Sequence, residues 1–201
     1  MEAEMNSTIK YYNDHADWYY WTTVAVDMDV MRKKFASFLP SEARVIDMGC
    51  GSGRDVLCFS DMGFDAVGLD ASEELVKLAK ERLEIKAFVG DMATYRTQDP
   101  YDGIWCCASL FHLDDEQKKK FFSNLNHNLK MDGVVYISVK EGIETGVDKD
   151  GRFYSNCTEE ELVRALYGAG CAVFDIYTTD DGMGRDGVRW LNVFARKIRE
   201  L

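Results

Sequence analysis

The chain has 201 residues, 46% of them hydrophobic, and its 24 lysines and arginines against 35 aspartates and glutamates leave a formal charge of −11. That length suits one domain of ordinary size with its own core, and that charge would repel a polyanion over most of the surface, which disfavours nucleic acid as a partner. The longest apolar run, near 104–111, is too short to span a bilayer, the acidic N-terminus MEAEMNSTIKYYNDHADW lacks the basic and apolar regions of a secretory signal, and six cysteines without CxxC spacing or histidine partners read as reduced thiols rather than disulfides or metal ligands.

In chain order, residues 1–38 read as helical, holding the aromatic cluster Tyr11, Tyr12, Trp18, Tyr19, Tyr20 and Trp21, and Pro40 ends the segment. A strand over 44–48 leads into the glycine-rich turn 49–53 and a helix to about Met62, which Gly63 closes. A second strand, 65–69, ends at Asp70, and Ser72 caps a helix over 73–83 with acids in its first turn. Residues 86–89 form a short third strand and 101–107 a fourth. The helix 114–129 keeps Leu113, Phe121, Leu125 and Leu129 on one face, a turn falls at Asp132-Gly133, and 134–139 is the fifth strand. Thr158 and Glu161 form a capping box for a helix over 159–167 that Gly168 and Gly170 terminate. Strands near 171–178 and 188–196, separated by the loop 180–187, form an antiparallel hairpin at the end of the sheet. Strands alternating with helices, and no linker or repeat, point to βαβ units on a parallel sheet.

The segment Val45-Ile46-Asp47-Met48-Gly49-Cys50-Gly51-Ser52-Gly53 joins a strand to a helix, where glycines permit a sharp turn and close approach of a ligand. A dinucleotide fingerprint would require Gly or Ala at Arg54 or Val56, and the acids Asp47 and Asp55 oppose a pyrophosphate at that helix N-terminus. A cationic, phosphate-free ligand removes the conflict. Asp70 stands at the end of the second strand, where an acid can accept ribose hydroxyls, and Asp91 with Met92 follows the third strand, placed to flank a base.

These residues resemble the class I S-adenosylmethionine-dependent methyltransferases: VIDMGCGSGRD looks like their first motif, VGLDAS their second, FVGDM their third and YDGIWCCASLFHL their fourth. The remainder, GRFYSNCTEEEL and RWLNVFARK included, is similar to small bacterial members of the tellurite-resistance or general methyltransferase-domain type. The resemblance implies a Rossmann-like three-layer α/β sandwich with a seven-stranded, mostly parallel sheet and one antiparallel strand from the C-terminal hairpin. It implies a single domain over 1–201, with 1–40 a helical lid and 41–201 the catalytic core. It assigns S-adenosylmethionine as cofactor and S-adenosylhomocysteine as product, with Asp47, Gly49, Gly51 and Gly53 at the methionine half. Asp70, Ala71 and Ser72 would lie at the ribose, Asp91 and Met92 at adenine, and Ala108, Ser109 and Leu110 beyond the fourth strand. Tyr12, Tyr19 and Thr22 would sit over the cofactor. Cys107-Ala108-Ser109-Leu110 replaces the Asn/Asp-Pro-Pro-aromatic motif, which counts against methylation of amino groups on nucleic-acid bases.

Methyl transfer is an in-line displacement, so the protein has to align a nucleophile and exclude water. A base is needed only for a protonated acceptor, and His112 is the candidate. Lys140, Arg152, Tyr154, Arg189, Trp190 and Asn192 come from strand ends and loops that would surround an acceptor, while Cys106 and Cys107 read as core thiols. The expected protein is thus a cytoplasmic enzyme acting on a small molecule, with no metal and no membrane partner, and no pattern points to a particular oligomeric state. A methyltransferase acting on protein or RNA, and a binding module without catalysis, are the alternatives.

Overall fold

The computed structural model describes the backbone of residues 2–201 and the side chains from residue 7 onward; Met1, the first residue of the expected lid, lies outside the described residues. Helices α1 (Glu2–Asp14), α2 (Ala16–Thr23) and α3 (Asp29–Ala36) open the chain. There follow β1 (Arg44–Met48), α4 (Arg54–Asp61), β2 (Asp65–Asp70), α5 (Glu73–Leu83), β3 (Ala87–Val89) and β4 (Tyr101–Cys107). A 3-10 turn (Leu110–His112) then leads to α6 (Asp115–Asn128), β5 (Leu129–Lys140), the short strands β6 (Gly146–Val147) and β7 (Phe153–Tyr154), α7 (Glu159–Gly168), β8 (Cys171–Asp180) and β9 (Arg189–Lys197). The main sheet runs β3-β2-β1-β4-β5-β9-β8. Its strands are parallel except β9, which pairs antiparallel with β5 on one side and β8 on the other.

Helices cover both faces of this sheet, which is why its central strands read as continuous apolar runs rather than as alternating patterns. Successive residues point to opposite faces. Ile46, Ile104, Val135 and Val193 join Phe121 and Leu125 of α6 and Leu162 and Leu166 of α7 in one core. Their neighbours Val45, Trp105, Tyr136 and Phe194 join Phe35 of α3, Val56 and Phe59 of α4, and Val76 and Ala79 of α5 in the other. Trp105 is fully buried at the centre of the second core, stacked 4.0 Å from Tyr136, with Phe35 and Phe59 at 5.3 and 5.2 Å. Removing a ring such as Phe35 would cost about 3–5 kcal/mol.

The structure differs from the sequence reading at four places. The N-terminal helical segment is broken at His15 and again over 24–28. The first break lets Asn13 Oδ1 accept from Ser72 Oγ at 2.6 Å, while Asp17 on α2 pairs with Arg82 of α5. The expected turn at Asp132-Gly133 is instead an irregularity inside a longer β5: Asp132 adopts φ +64°, and the register with β4 shifts between Tyr101 and Gly103. The β6–β7 hairpin was not anticipated, since each strand has only two residues. Helix α7 includes Gly168, with Ala169 as its C-cap and Gly170 at φ +79° beyond it. The expected caps form: Ser72 Oγ accepts from Leu75 N, and Thr158 and Glu161 cap each other.

Candidate active site

Two adjoining cavities lie at the carboxyl ends of β1, β2, β4 and β5, where ligands bind in open α/β sheets. Tyr12, Tyr19, Gly49, Gly51, Ala108 and His112 line both and so mark their junction. The glycine turn between β1 and α4 forms part of that wall because no side chain fits there. A Cβ on Gly49, at φ +86°, would fall 2.3 Å from Ser109 Cβ, and one on Gly51 would fall 3.0 Å from the Tyr19 ring. Ser109 Oγ donates to Met48 O at 2.7 Å, tying the turn after β4 to this loop.

In the cavity on the β2–β3 side, Asp70 is the organising group. Its Oδ2 accepts from Gly51 N at 2.8 Å and its Oδ1 from Ser72 N at 2.9 Å, so it holds the glycine turn against the end of β2. Burial raises its pKa, and the backbone N–H groups of Ser72, Gly51 and Ala71 oppose that rise without cancelling it. Asp91 Oδ1 accepts from Ala93 N and its Oδ2 from Thr94 Oγ, so the carboxylate shapes its own turn at the cavity edge. Ala71, Met92, Leu69 and Leu113 complete a largely apolar wall, joined by Thr8 and Ile9 from α1.

The second cavity, toward β5, β9 and the 180–187 loop, contains Asp47. This carboxyl is buried, and its Oδ1 has no hydrogen-bond partner among the described residues. Burial raises its pKa well above the ordinary value, and repulsion from Asp55 adds to that. Asp55, by contrast, is fully compensated. It accepts from Arg32 Nη1 (3.0 Å), Arg54 Nε (2.9 Å), Arg54 Nη2 (2.7 Å) and Trp105 Nε1 (3.0 Å). Burial alone would raise its pKa, but Arg54 and Arg32 outweigh that and lower it.

The far wall of this cavity is built by Asp181. Its buried carboxylate accepts from the backbone N–H of Met183 and Arg185, from the Arg185 guanidinium and from Trp190 Nε1 at 2.8 Å. The Arg185 hydrogen bonds depress its pKa far below the carboxylate range. The loop between β8 and β9 is thereby an ordered wall, and it carries Trp190 inward. On the floor, Asn192 Oδ1 accepts from the Tyr136 hydroxyl at 2.7 Å and its Nδ2 donates to Thr179 Oγ. Arg152, paired with Asp148, lies over the rings of Tyr11 and Tyr154.

His112 sits at the junction with both ring nitrogens engaged. Nδ1 lies 2.7 Å from Phe153 O, which can only accept, so Nδ1 carries the proton. Burial pushes the imidazole down to about 4, so at neutral pH Nε2 is a bare lone pair. The Tyr12 hydroxyl, 2.8 Å away, therefore donates to it, and burial raises the Tyr12 phenol well above its usual value. The lone pair expected to act as a base is already occupied.

Most of the expected site residues line one of the two cavities, including Lys140, Arg152, Tyr154, Trp190 and Asn192 on the acceptor side. Four line neither. Thr22 Oγ donates to the carbonyls of Trp18 and Tyr19, whereas the next residue, Thr23, lines the cavity. Gly53 packs α4 against α5, where a Cβ would meet Ile85 Cδ1 at 2.5 Å. Leu110 is fully buried in the core, and Leu113 takes the expected place. Arg189 turns outward to Glu141 and Thr178. Cys107, expected in the core, is half-buried and forms cavity wall, while Cys106 is buried as expected. Asp181 and Arg54 were not singled out as site residues, and the Asp-Asp-Gly spacing around Asp181 gave only a turn signal.

The strand order, the glycine turn and the strand-end acids together define the class I methyltransferase fold. Residues 45–133 match the family described as a methyltransferase domain, and the chain resembles the tellurite-resistance-type S-adenosylmethionine-dependent methyltransferases. It is 26% identical over 140 residues to the probable S-adenosyl-L-methionine-dependent methyltransferase TehB of Haemophilus influenzae, an alignment covering 66% of this chain and 48% of that protein. The chain spans about half the length of the curated relatives it matches. Among solved structures it is similar to the Burkholderia thailandensis 1,6-didemethyltoxoflavin-N1-methyltransferase, with TM-score 0.77, 24% identity, and coverage of 97% of this chain and 87% of that one. It is also similar to a TehB-like S-adenosylmethionine-dependent methyltransferase from Corynebacterium glutamicum, with TM-score 0.71, 18% identity, and coverage of 94% and 98%. At these identities the structural likeness establishes the fold.

Proposed function

We propose that the protein transfers a methyl group from S-adenosylmethionine to a small-molecule acceptor, releasing S-adenosylhomocysteine. The observation that carries this reading is the buried Oδ1 of Asp47, unpartnered among the described residues, beside a glycine turn whose space a Cβ would fill. A buried carboxylate oxygen without a donor among the described residues calls for a cationic ligand, and its charge opposes a phosphate beside the glycine turn.

When bound, S-adenosylmethionine supplies an electrophilic methyl on a positively charged sulfur. Asp47 would receive its ammonium, and Asp70, whose oxygens each retain accepting capacity, would take the ribose hydroxyls. Met92, Leu69 and Leu113 would flank the base, with Asp91 at the edge. Tyr12 and Tyr19, from α1 and α2, would close the junction to water. The acceptor would occupy the cavity bounded by Tyr154, Trp190, Asn192, Lys140 and Arg152, with His112 at the boundary.

A small acceptor is favoured by the negative charge, by the wall that Asp181 orders, and by the Burkholderia neighbour, which holds 1,6-didemethyltoxoflavin together with S-adenosylhomocysteine. Calorimetry with S-adenosylmethionine, followed by a methyl-transfer assay on thiols, amines, phenols, carboxylates and heteroaromatic N–H compounds, tests the reading. Binding that is lost in Asp70→Ala, with S-adenosylhomocysteine formed in at least one reaction, supports it. A wild type that binds NAD and not S-adenosylmethionine sinks it.

A further inference from the structure

A phenol hydroxyl at a ligand site ordinarily rotates, turning its proton toward an anion or its lone pairs toward a cation. Tyr12 lacks that freedom. His112 Nδ1 donates to Phe153 O at 2.7 Å, which leaves Nε2 as acceptor, and the only proton on Tyr12 Oη lies along the 2.8 Å line to that nitrogen. His112 is itself held among aromatic rings, with its centroid 4.7 Å from Phe111 and 4.8 Å from Tyr154. Tyr12 and His112 both border the two cavities, so the Tyr12 hydroxyl, its proton committed to His112, stands at the junction as an acceptor.

We propose that His112 is a positioning residue that fixes the polarity of the Tyr12 hydroxyl, making the junction selective for a sulfonium and its polarised methyl over the neutral thioether left after transfer. This rests on the reading of the cavities as a cofactor and acceptor pair. The selectivity follows from elementary electrostatics. An oxygen whose proton is committed elsewhere presents only negative potential, which attracts a charged methylsulfonium and its C–H dipoles and gains little from an uncharged sulfur. The same lock favours release of the spent cofactor, since the attraction vanishes with the charge.

The test is calorimetric titration of the purified protein with S-adenosylmethionine and, separately, S-adenosylhomocysteine, in wild type, Tyr12→Phe, His112→Leu and His112→Gln. The quantity read is the ratio of the two dissociation constants. Tyr12→Phe and His112→Leu should each reduce the preference for the sulfonium by roughly two- to fivefold, the second while leaving the Tyr12 hydroxyl in place. His112→Gln, whose amide oxygen can still accept from Tyr12, should restore most of the preference. Equal weakening of both ligands, an unchanged ratio, or a Gln variant no better than Leu overturns the lock while leaving cofactor binding intact. Failure of the wild type to bind either ligand overturns the reading of the site, and this inference with it. Nitrogen-15 spectra of the labelled wild type give an independent measurement. Protonated Nδ1 with a hydrogen-bonded, bare Nε2 is expected, and the opposite tautomer overturns the proposal whatever the variants do.

Discussion

Asp55→Asn tests the buried charge cluster beneath the glycine turn. In the native protein both carboxylate oxygens face donors alone: Arg32 Nη1 and Arg54 Nε at Oδ1, Arg54 Nη2 and Trp105 Nε1 at Oδ2. An amide can present one oxygen only, so in either orientation its NH2 confronts two donors, and the charge between two guanidiniums disappears. Arg32 keeps Asp29 at 2.6 Å, but Arg54 loses its carboxylate partner while its side chain is 17% exposed. Breaking a buried pair in this way costs about 3–5 kcal/mol, which for a chain of this size lowers the melting temperature by roughly 6–20 °C. The cost should also depend on pH with a definite sign. The folded-state pKa of Asp55 is lowered, so its stabilisation is present above the unfolded value near 3.8 and is lost as pH falls through the folded value. Thermal and urea unfolding of both proteins at pH 7 and at successively lower pH would show a gap that narrows in acid. A variant within about 1 kcal/mol of wild type at pH 7, below the range for a broken buried pair, would refute the assignment of a stabilising cluster.

The pKa of Asp47 is raised, so cofactor affinity should fall as pH drops through a value above the ordinary aspartate range, and Asp47→Asn should bind roughly ten- to a hundredfold more weakly with that pH dependence gone. A wild-type affinity that does not weaken as the pH is lowered would count against it. Asp181→Ala should free Arg185 and Trp190, raising the acceptor KM with little change in cofactor affinity; comparable losses in both would show that the loop is not confined to the acceptor side. Burial raises every thiol in the chain, Cys106 and Cys107 to about 12 and Cys171 to about 11. Native protein at pH 7.5 should therefore react slowly with a disulfide reagent, half-buried Cys58 first, while denaturant releases all six thiols; rapid labelling of a core cysteine refutes this.

The parallel strands were legible because burial on both faces writes them as unbroken apolar runs, as at Val45-Ile46 and Ile104-Trp105-Cys106. The helix starts were legible because Ser72 and Thr158 sit where orphan N–H groups need an acceptor. Asp47 and Asp70 could be placed from sequence because strand ends in such sheets converge on one edge. Other features depend on pairs far apart in the chain. Nothing near Tyr12 announces a hydrogen bond to a histidine 100 positions later, and β6–β7, which brings the Phe153 carbonyl to His112, is too short to leave a periodic trace. Thr22 and Thr23 follow Tyr19 by three and four residues, so helical spacing does not choose between them; only the folded chain shows Thr23 at the cavity wall. The outward turn of Arg189 follows from pairing with β8, a register that local composition does not encode.

The matched methyltransferase region ends at 133, yet Tyr12, Tyr19, Arg152, Asp181 and Trp190 all lie outside it. The strand-end acids and the glycine turn thus occupy one stretch of chain, and segments on either side help to close both cavities, Tyr12 and Tyr19 bordering both and the 180–187 loop only the second. Sequence change in that loop can reshape the second cavity while Asp47 and the glycine turn stay in place. A library aimed at the second cavity alone would therefore vary the 180–187 loop and leave Tyr12, Tyr19 and 45–92 unchanged.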